Sequence, residues 1–546
     1  MKNNLLRGLT ALTLSAALAG LSTSCTKDLD QAPRFETTPD KVYVDLAGYK
    51  SVLGKLYGGF ALTGQQGAAG AGDIGGIDEG TSDYLRQLWS AQELTTDEAV
   101  VAWNDPGIQD WHNLNWDANN PLIRGLYNRF YYEIAICNEF IRESADDKLA
   151  ARLSGADVEQ AKVFRAEARF LRAVSYYHVL ENFGNGPFVT ETSGVGFKAP
   201  PYATRPELFS FVEQELLALD PLLPAPRANE YGRVDKAAAW GMLARLYLNA
   251  EKVYSLPARY TDAAAQAKKV IDAGFALTTT APVGSVASPY SLNFLADNNS
   301  NGSRNEVIWP IVFDATRTQS FGGTTFLING ATGASAGWQR RVGQTVGWQG
   351  LRTTRNLFNL FQTNGDTARD TRGRFWTDGQ TLEIADITQF SQGLGVIKYR
   401  NVTTTGVAQG GAQNHSGVDF PMIRLSELML TYAEAVLRGG TGDRNLALTY
   451  VNQIRARAFR NATGSAITGA QLTTNFILDE RARELFWEGY RRTDLIRYDR
   501  FVEGTYLWPW KGGTAGGRGV DGFRKLFPIP NSDLSANPNL RQNAGY

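Results

Sequence analysis

Histidine and cysteine are both scarce in this chain of 546 residues, with three of the former, His112, His178 and His415, and two of the latter, Cys25 and Cys137. No HExxH pair or paired metal spacing is present, and no G-x-S-x-G elbow. The motifs imply no cofactor and define no metal-ligand set, so the metal content stays open. A charge excess of either sign is missing as well, because lysine plus arginine equals aspartate plus glutamate at 55 each. No overall field draws the chain to a polyanion, which argues against nucleic acid as a partner. Beyond the N-terminus there is no apolar run of the roughly 20 residues that a membrane span requires.

What is present begins at the N-terminus. Lys2 and Arg7 make a basic start and Leu9 to Leu21 an apolar run with small residues toward its end, the pattern of a secretory signal over residues 1–24. Leu21-Ser22-Thr23-Ser24-Cys25 then resembles a bacterial lipobox, in the looser form of Bacteroidetes lipoproteins with leucine four residues before the cysteine. Lipidation is therefore expected at Cys25, and acylation there excludes a disulfide framework. Thr26-Lys27-Asp28-Leu29-Asp30 resembles the surface-export signal of such lipoproteins.

Helical patterning dominates from about Pro121. Ala161 to Asn182 repeats Val163, Phe170, Tyr177 and Phe164, Leu171, His178 at seven-residue spacing, with Arg165, Arg169 and Arg172 on another stripe. Two helix pairs follow, Val234 to Glu251 with Tyr260 to Gly274, and Leu425 to Leu437 with Asp443 to Phe459, each carrying small alanines that permit close backbone approach. They have the character of degenerate tetratricopeptide-like repeats, although roughly 150 residues separate them and no fixed period recurs. Between them, residues 276–420 shift toward Gly, Asn, Thr and aromatics, with short apolar runs such as Glu306 to Phe313, and read as loops, short strands and a few helices. The expected architecture is mainly α: a helical repeat scaffold over about 121–275 and 421–503, a loop-rich ligand-binding insertion over about 276–420, and a ligand-contacting segment over about 73–120, in one domain from 25 to 546. Long irregular segments on a rigid scaffold are where binding function concentrates.

Three separated segments carry a family resemblance: Phe170 to Phe188, a helix ending in Phe-Gly-Asn-Gly-Pro-Phe; the arginine-rich Asp479 to Arg497; and the C-terminal Leu526 to Tyr546. Together they resemble the SusD/RagB family. The resemblance implies a tetratricopeptide-like helical fold, a lipid-anchored protein of the outer-membrane surface, an oligosaccharide or polysaccharide ligand, and a TonB-dependent transporter of the SusC type as partner. In the late helix, Glu488 is placed three and four residues before Arg491 and Arg492, and Asp494 three before Arg497, spacings that suit structural ion pairs.

Twelve tryptophans and 22 tyrosines supply flat rings for sugar C–H faces, to be flanked by Arg, Asn and Asp partners for the hydroxyls. Arg86 to Asn115 has that mixture, and Glu93 to Trp103 resembles the starch-binding branch of the family, which implies ligand contacts at Arg86 and Trp103. Asn104 or Asp105 is the candidate polar neighbour, and Trp338 or Trp348, the latter within Gly347-Trp-Gln-Gly-Leu-Arg352, the second platform. For either tryptophan the competing reading is a packed core ring. The leading function is capture of a glycan, a starch-like α-glucan above others, for a transporter. Within the family the alternative is capture of peptides or another polysaccharide. Outside it, the alternative is a secreted helical carbohydrate-active enzyme, since glycosidase chemistry needs only two carboxylates. Replacing Cys25 by alanine is expected to abolish fatty-acid labelling and membrane association; retention of both would refute the lipid anchor.

Overall fold

The computed structural model describes residues 38–68, 72–194, 196, 198–362, 370–409, 414–460 and 464–546. The signal segment and Cys25 lie outside the described residues. No helix among the described residues is long and apolar enough to cross a membrane.

The described chain is mainly helical, with short paired strands. Helices α1 (Leu46–Gly58) and α2 (Tyr84–Trp89) precede strand β1 (Val100–Val101) and the long helices α3 (Pro121–Glu143) and α4 (Ala156–Asn182). The start of α3 follows from its sequence: Asn120 Oδ1 accepts from Leu122 N and Ile123 N at 3.0 and 3.1 Å, and Pro121 occupies the first turn, where no donor is needed. Helix α4 packs on α3 and on α5 (Arg205–Ala218). Two arginines of its stripe face α5, where Glu215 takes Arg169 and Arg172 at 2.8 Å each, while Arg165 reaches Asp146 at 2.8 Å.

The helix pairs adopt their expected positions, α6 (Lys236–Asn249) with α7 (Tyr260–Ile271), and later α10 (Leu425–Leu437) with α11 (Arg444–Ala458). Despite the intervening stretch, α7 packs directly on α10, so the two pairs form one continuous stack. Buried alanines line these contacts, among them Ala263, Ala264, Ala267, Ala433 and Ala435. The stretch between the pairs contains strand β2 (Val307–Ile311), helices α8 (Gly323–Gly330) and α9 (Ala336–Val342), strand β3 (Leu351–Arg352) and strand β4 (Phe420–Arg424). Its root is closed by antiparallel β2 and β4, buried throughout, whose register shifts beside Pro310 opposite Pro421. Neither proline has an N–H to give the ladder.

The arginine-rich segment differs from the expected single helix. Helix α12 (Thr474–Leu485) stops, Trp487 and Gly489 take φ of 62° and 83°, and α13 (Arg491–Arg497) begins anew. The break turns Glu488 away from Arg491 and Arg492. Glu488 instead pairs with Arg424 and Lys398, both at 2.6 Å, and Arg491 pairs with Asp97 at 2.7 Å. The Asp494 to Arg497 pair forms as the spacing requires, at 2.6 Å.

These charges are core, not surface. Arg424 reaches Glu484 at 2.6 Å and Glu306 at 3.1 Å; Arg457 reaches Glu306 at 2.9 Å and also Glu484; Arg372 reaches Glu480 at 2.7 Å and Glu484 at 3.2 Å. All six side chains are fully buried. Burial pushes the Glu484 carboxyl up, but Arg457, Arg424 and Arg372 overcome this and hold it well below the usual range. Glu480 is likewise raised by burial and brought down to about 2 by Arg372, Arg483 and Arg455.

An Arg424→Met substitution takes one cation from Glu306, Glu484 and Glu488, which keep Arg457, Arg372 and Lys398 among them, and is expected to cost about 3 kcal/mol in urea unfolding at pH 7. Depressed carboxyls stabilise fully above their unfolded value, about 4.3, and lose that contribution as pH falls through the folded value. The difference between parent and variant is therefore expected to narrow on acidification; an unchanged midpoint at pH 7 would contradict the ion network's role.

Candidate functional site

Asp83 organises one side of the candidate site. Its carboxylate caps α2, accepting Arg86 N at 2.7 Å, and also accepts Gly323 N at 2.9 Å, tying α2 to the start of α8. A Cβ on Gly322 would lie 2.1 Å from the Asp83 Cβ, so this approach requires glycine. Burial pushes the Asp83 carboxyl up, while these N–H donors and Arg129 pull it back. The junction holds Arg86 over the Phe326 ring at 4.5 Å and 5.9 Å from the Trp103 ring, and Arg86 Nη1 donates to Phe321 O at 3.3 Å. Burial draws the Arg86 guanidinium below its ordinary value, and Asp78, Asp83 and Asp105 draw it back.

The other side is built on the β1–β3 pair, Val100 opposite Arg352 and Val101 opposite Leu351. The pairing continues as Ala102 N donates to Gly350 O at 2.9 Å, and the 348–350 loop is fastened to the end of α8 by Trp348 N to Asn329 O at 2.7 Å and Gly350 N to Gly330 O at 2.8 Å. Trp103 Nε1 donates to Trp348 O at 2.9 Å. A Cβ at Gly350 would fall 2.2 Å from the Trp103 ring, so the indole lies flat against bare backbone.

Arg86, Trp103 and Trp348, which are far apart in sequence, thus meet. The half-buried rings of Trp103 and Trp348 lie 6.4 Å apart at 49°, and Phe321 lies 6.1 Å from Trp348 at 67°. Phe321, 39% exposed, was not among the residues expected from the sequence. The usable signal was an aromatic directly before Gly322-Gly323, whose close approach to Asp83 places that ring at the site rim. Asn104 and Asp105 are exposed beside Trp103. Arg86, Asp105, Asp78, Thr81, Gln87 and Phe326 line a cleft of about 220 Å³.

Trp338 is corrected from candidate platform to core residue. It is 2% exposed and stacked between Trp376 at 5.1 Å and Phe390 at 5.6 Å, so it offers no free face. Trp89, Trp111 and Trp116 are also buried; Trp111 and Trp116 hold Phe527 of the C-terminal segment at 5.2 and 4.8 Å.

His112, His178 and Glu93 are sealed inside the core, whereas the carboxylates of Asp78 and Asp105 face the cleft. His178 Nδ1 shares a hydrogen bond with Tyr84 OH at 2.7 Å, and His112 Nε2 donates to Gln109 Oε1 at 2.9 Å. Burial, then a nearby arginine, lowers each imidazole to about 3, leaving both neutral. Burial pushes Glu93 up to about 7, yet its carboxylate is occupied by Gly489 N at 2.7 Å and Tyr490 N at 3.2 Å, inside the core. No group of three or more His, Cys, Asp or Glu able to hold a metal occurs among the described residues.

A family model described as the SusD family matches residues 385–546. The starch-binding protein SusD of Bacteroides thetaiotaomicron is 32% identical and aligns over 100% of both chains. SusD-like protein P2 of Formosa agariphila is 24% identical over 80% of this chain and 83% of its own. Among solved structures, a SusD homolog from Bacteroides thetaiotaomicron superposes with a TM-score of 0.70 at 19% identity, covering 94% of this chain and 99% of that one. Surface glycan-binding protein A from Bacteroides uniformis gives 0.67 at 21% identity, covering 91% and 99%.

A Trp338→Ala variant is expected to lose about 3–5 kcal/mol of stability in denaturant melts, as buried aromatics do. Parent-like stability combined with lost ligand binding would return Trp338 to the site.

Proposed function

The chain belongs to the SusD family, and we propose that it is a non-catalytic surface lipoprotein, anchored through Cys25, that captures starch-like α-glucan oligosaccharides and delivers them to a TonB-dependent outer-membrane transporter of the SusC type. The observation that carries the ligand class is the convergence of Trp103, Trp348 and Phe321 with Arg86. Sugar rings stack their C–H faces on aromatic planes, and their hydroxyls need fixed donors and acceptors around the rim. Arg86, Asn104 and Asp105 supply that rim.

Shape supports an α-glucan in particular. Rings inclined at 49° and 67° present successive facets of a curved surface, which suits a chain that bends from one residue to the next better than a flat ribbon. The 32% identity to a protein named for starch binding supports the same ligand. Support for the anchor is the basic start, apolar run and small residues leading into Cys25. The non-catalytic reading is supported by the sealed positions of His112, His178 and Glu93; Asp78 and Asp105 are the carboxylates at the cleft, and the reducing-end assay below tests them.

Native gels containing a panel of polysaccharides test this, with reducing ends assayed in parallel. Retention by starch-type glucan is expected without release of reducing ends. It is expected to disappear in Trp103→Ala and in Trp348→Ala, with both variants retaining the parent's circular dichroism. Reducing-end release would establish an enzyme, retention by a different polymer alone would replace the α-glucan, and parent-like retention of Trp103→Ala would remove the site.

A further inference from the structure

A second cluster has opposite chemistry to the aromatic site. Segment 396–401 lies between two others: Asn401 N donates to Val342 O at 2.7 Å at the end of α9, and Ile397 N donates to Arg374 O at 3.1 Å. Thr371 N donates to Ala458 O at 2.9 Å, bringing the end of α11 to the same place. Arg341, Arg374, Arg400 and Arg460 lie at these backbone links or within two residues of them. Arg400 is only 6% exposed, yet neither it nor Arg341 nor Arg460 makes a side-chain hydrogen bond or ion pair among the described residues. Arg374 spends only its Nε, on Thr371 O at 3.0 Å. Arg341 and Arg460 are exposed and open the cluster to solvent.

Burial pulls the Arg400 guanidinium down to about 10, with Arg341 and then Arg374 adding to the fall. Arg374 is lowered by burial, then by Arg341 and Arg460. The buried arginines of the ion network, by contrast, are each met by carboxylates. A charge taken out of water without a partner is unfavourable, and several like charges brought together more so.

We propose that Arg341, Arg374 and Arg400, with Arg460 at the edge, form a binding site for an oxyanion of the phosphate or sulfate type, free or carried on a sugar. A tetrahedral oxyanion accepts several guanidinium N–H groups at once and cancels the repulsion that the cluster otherwise carries. The site is separate from the aromatic platform and does not depend on the α-glucan reading.

Full-length mature protein is titrated with sodium phosphate against sodium chloride of equal ionic strength, by calorimetry and thermal melting. Phosphate is expected to bind and raise Tm where chloride does not. Arg400→Gln is expected to weaken phosphate binding by about ten-fold or more, with an anion-free Tm no lower than the parent's, because it removes an uncompensated charge. Arg341→Gln, at an exposed position that folding does not need, is expected to weaken it several-fold. Tighter binding of glucose 6-phosphate than of inorganic phosphate, with glucose inert, would assign the oxyanion to a sugar; the reverse order would assign a free anion. No phosphate effect beyond that of chloride, or parent-like phosphate affinity in either variant, would overturn the site.

Discussion

Glu484 lies in the dry interior with Arg372, Arg424 and Arg457 around it, and those three arginines come from three parts of the chain. Arg372 belongs to the irregular stretch, Arg424 ends the strand that closes it, and Arg457 sits on α11. Glu306 and Glu488 extend the same network to the start of the stretch and to the α12–α13 break. Replacing such a network wholesale by apolar side chains of similar volume can leave stability unchanged or improve it. What apolar packing does not supply is a register: each guanidinium fork donates to its carboxylates in one arrangement, so the stretch and the scaffold dock in one way.

The candidate binding surface inherits that register. With β2 paired to β4 and Glu306 held by Arg424 and Arg457, helix α8 is carried to Asp83 and the 348–352 segment to β1. The aromatic faces are fixed before any ligand arrives, which reduces the ordering cost of binding. Two glycines make this possible by what they lack. Gly322 lets α8 approach Asp83 and Gly350 lets the Trp103 ring lie on backbone.

Much of the helical layout is legible because amphipathic periodicity is local. Leu425 to Leu437 is delimited by pattern alone, and the helix after Pro121 by Asn120 and the proline. The stacking of α7 on α10 is not legible, since nothing near either helix encodes a partner so distant in sequence. The break after Leu485 escapes for another reason: Trp487 takes a left-handed φ that no local propensity announces, held there by its own Nε1 to Glu98 O at 3.0 Å and by Glu98 Oε2 on its N–H at 3.2 Å. The same limit explains the tryptophans. Trp338 and Trp348 stand in comparable glycine-rich contexts, and only the arrival of Trp376 and Phe390 from elsewhere makes the first a core ring. Resemblance points to Arg86 and Trp103 as candidates, and the neighbourhood of Phe321 to Arg86 and Trp348 is visible only in three dimensions.

Among the described residues, arginine is saturated with carboxylates where it joins the stretch to the scaffold, laid over Phe326 beside the aromatic platform, and clustered without a carboxylate partner around Arg400. The central claim concerns the aromatic platform, that a glycan rests on the inclined rings of Trp103, Trp348 and Phe321 beside Arg86. A crystal structure of the protein with maltoheptaose tests it most directly. The account predicts sugar rings stacked on Trp103 and Trp348 at carbon contact distances of about 4 Å, with Arg86 hydrogen-bonded to a sugar hydroxyl. Maltoheptaose bound on another face, with these rings uncovered, would contradict it.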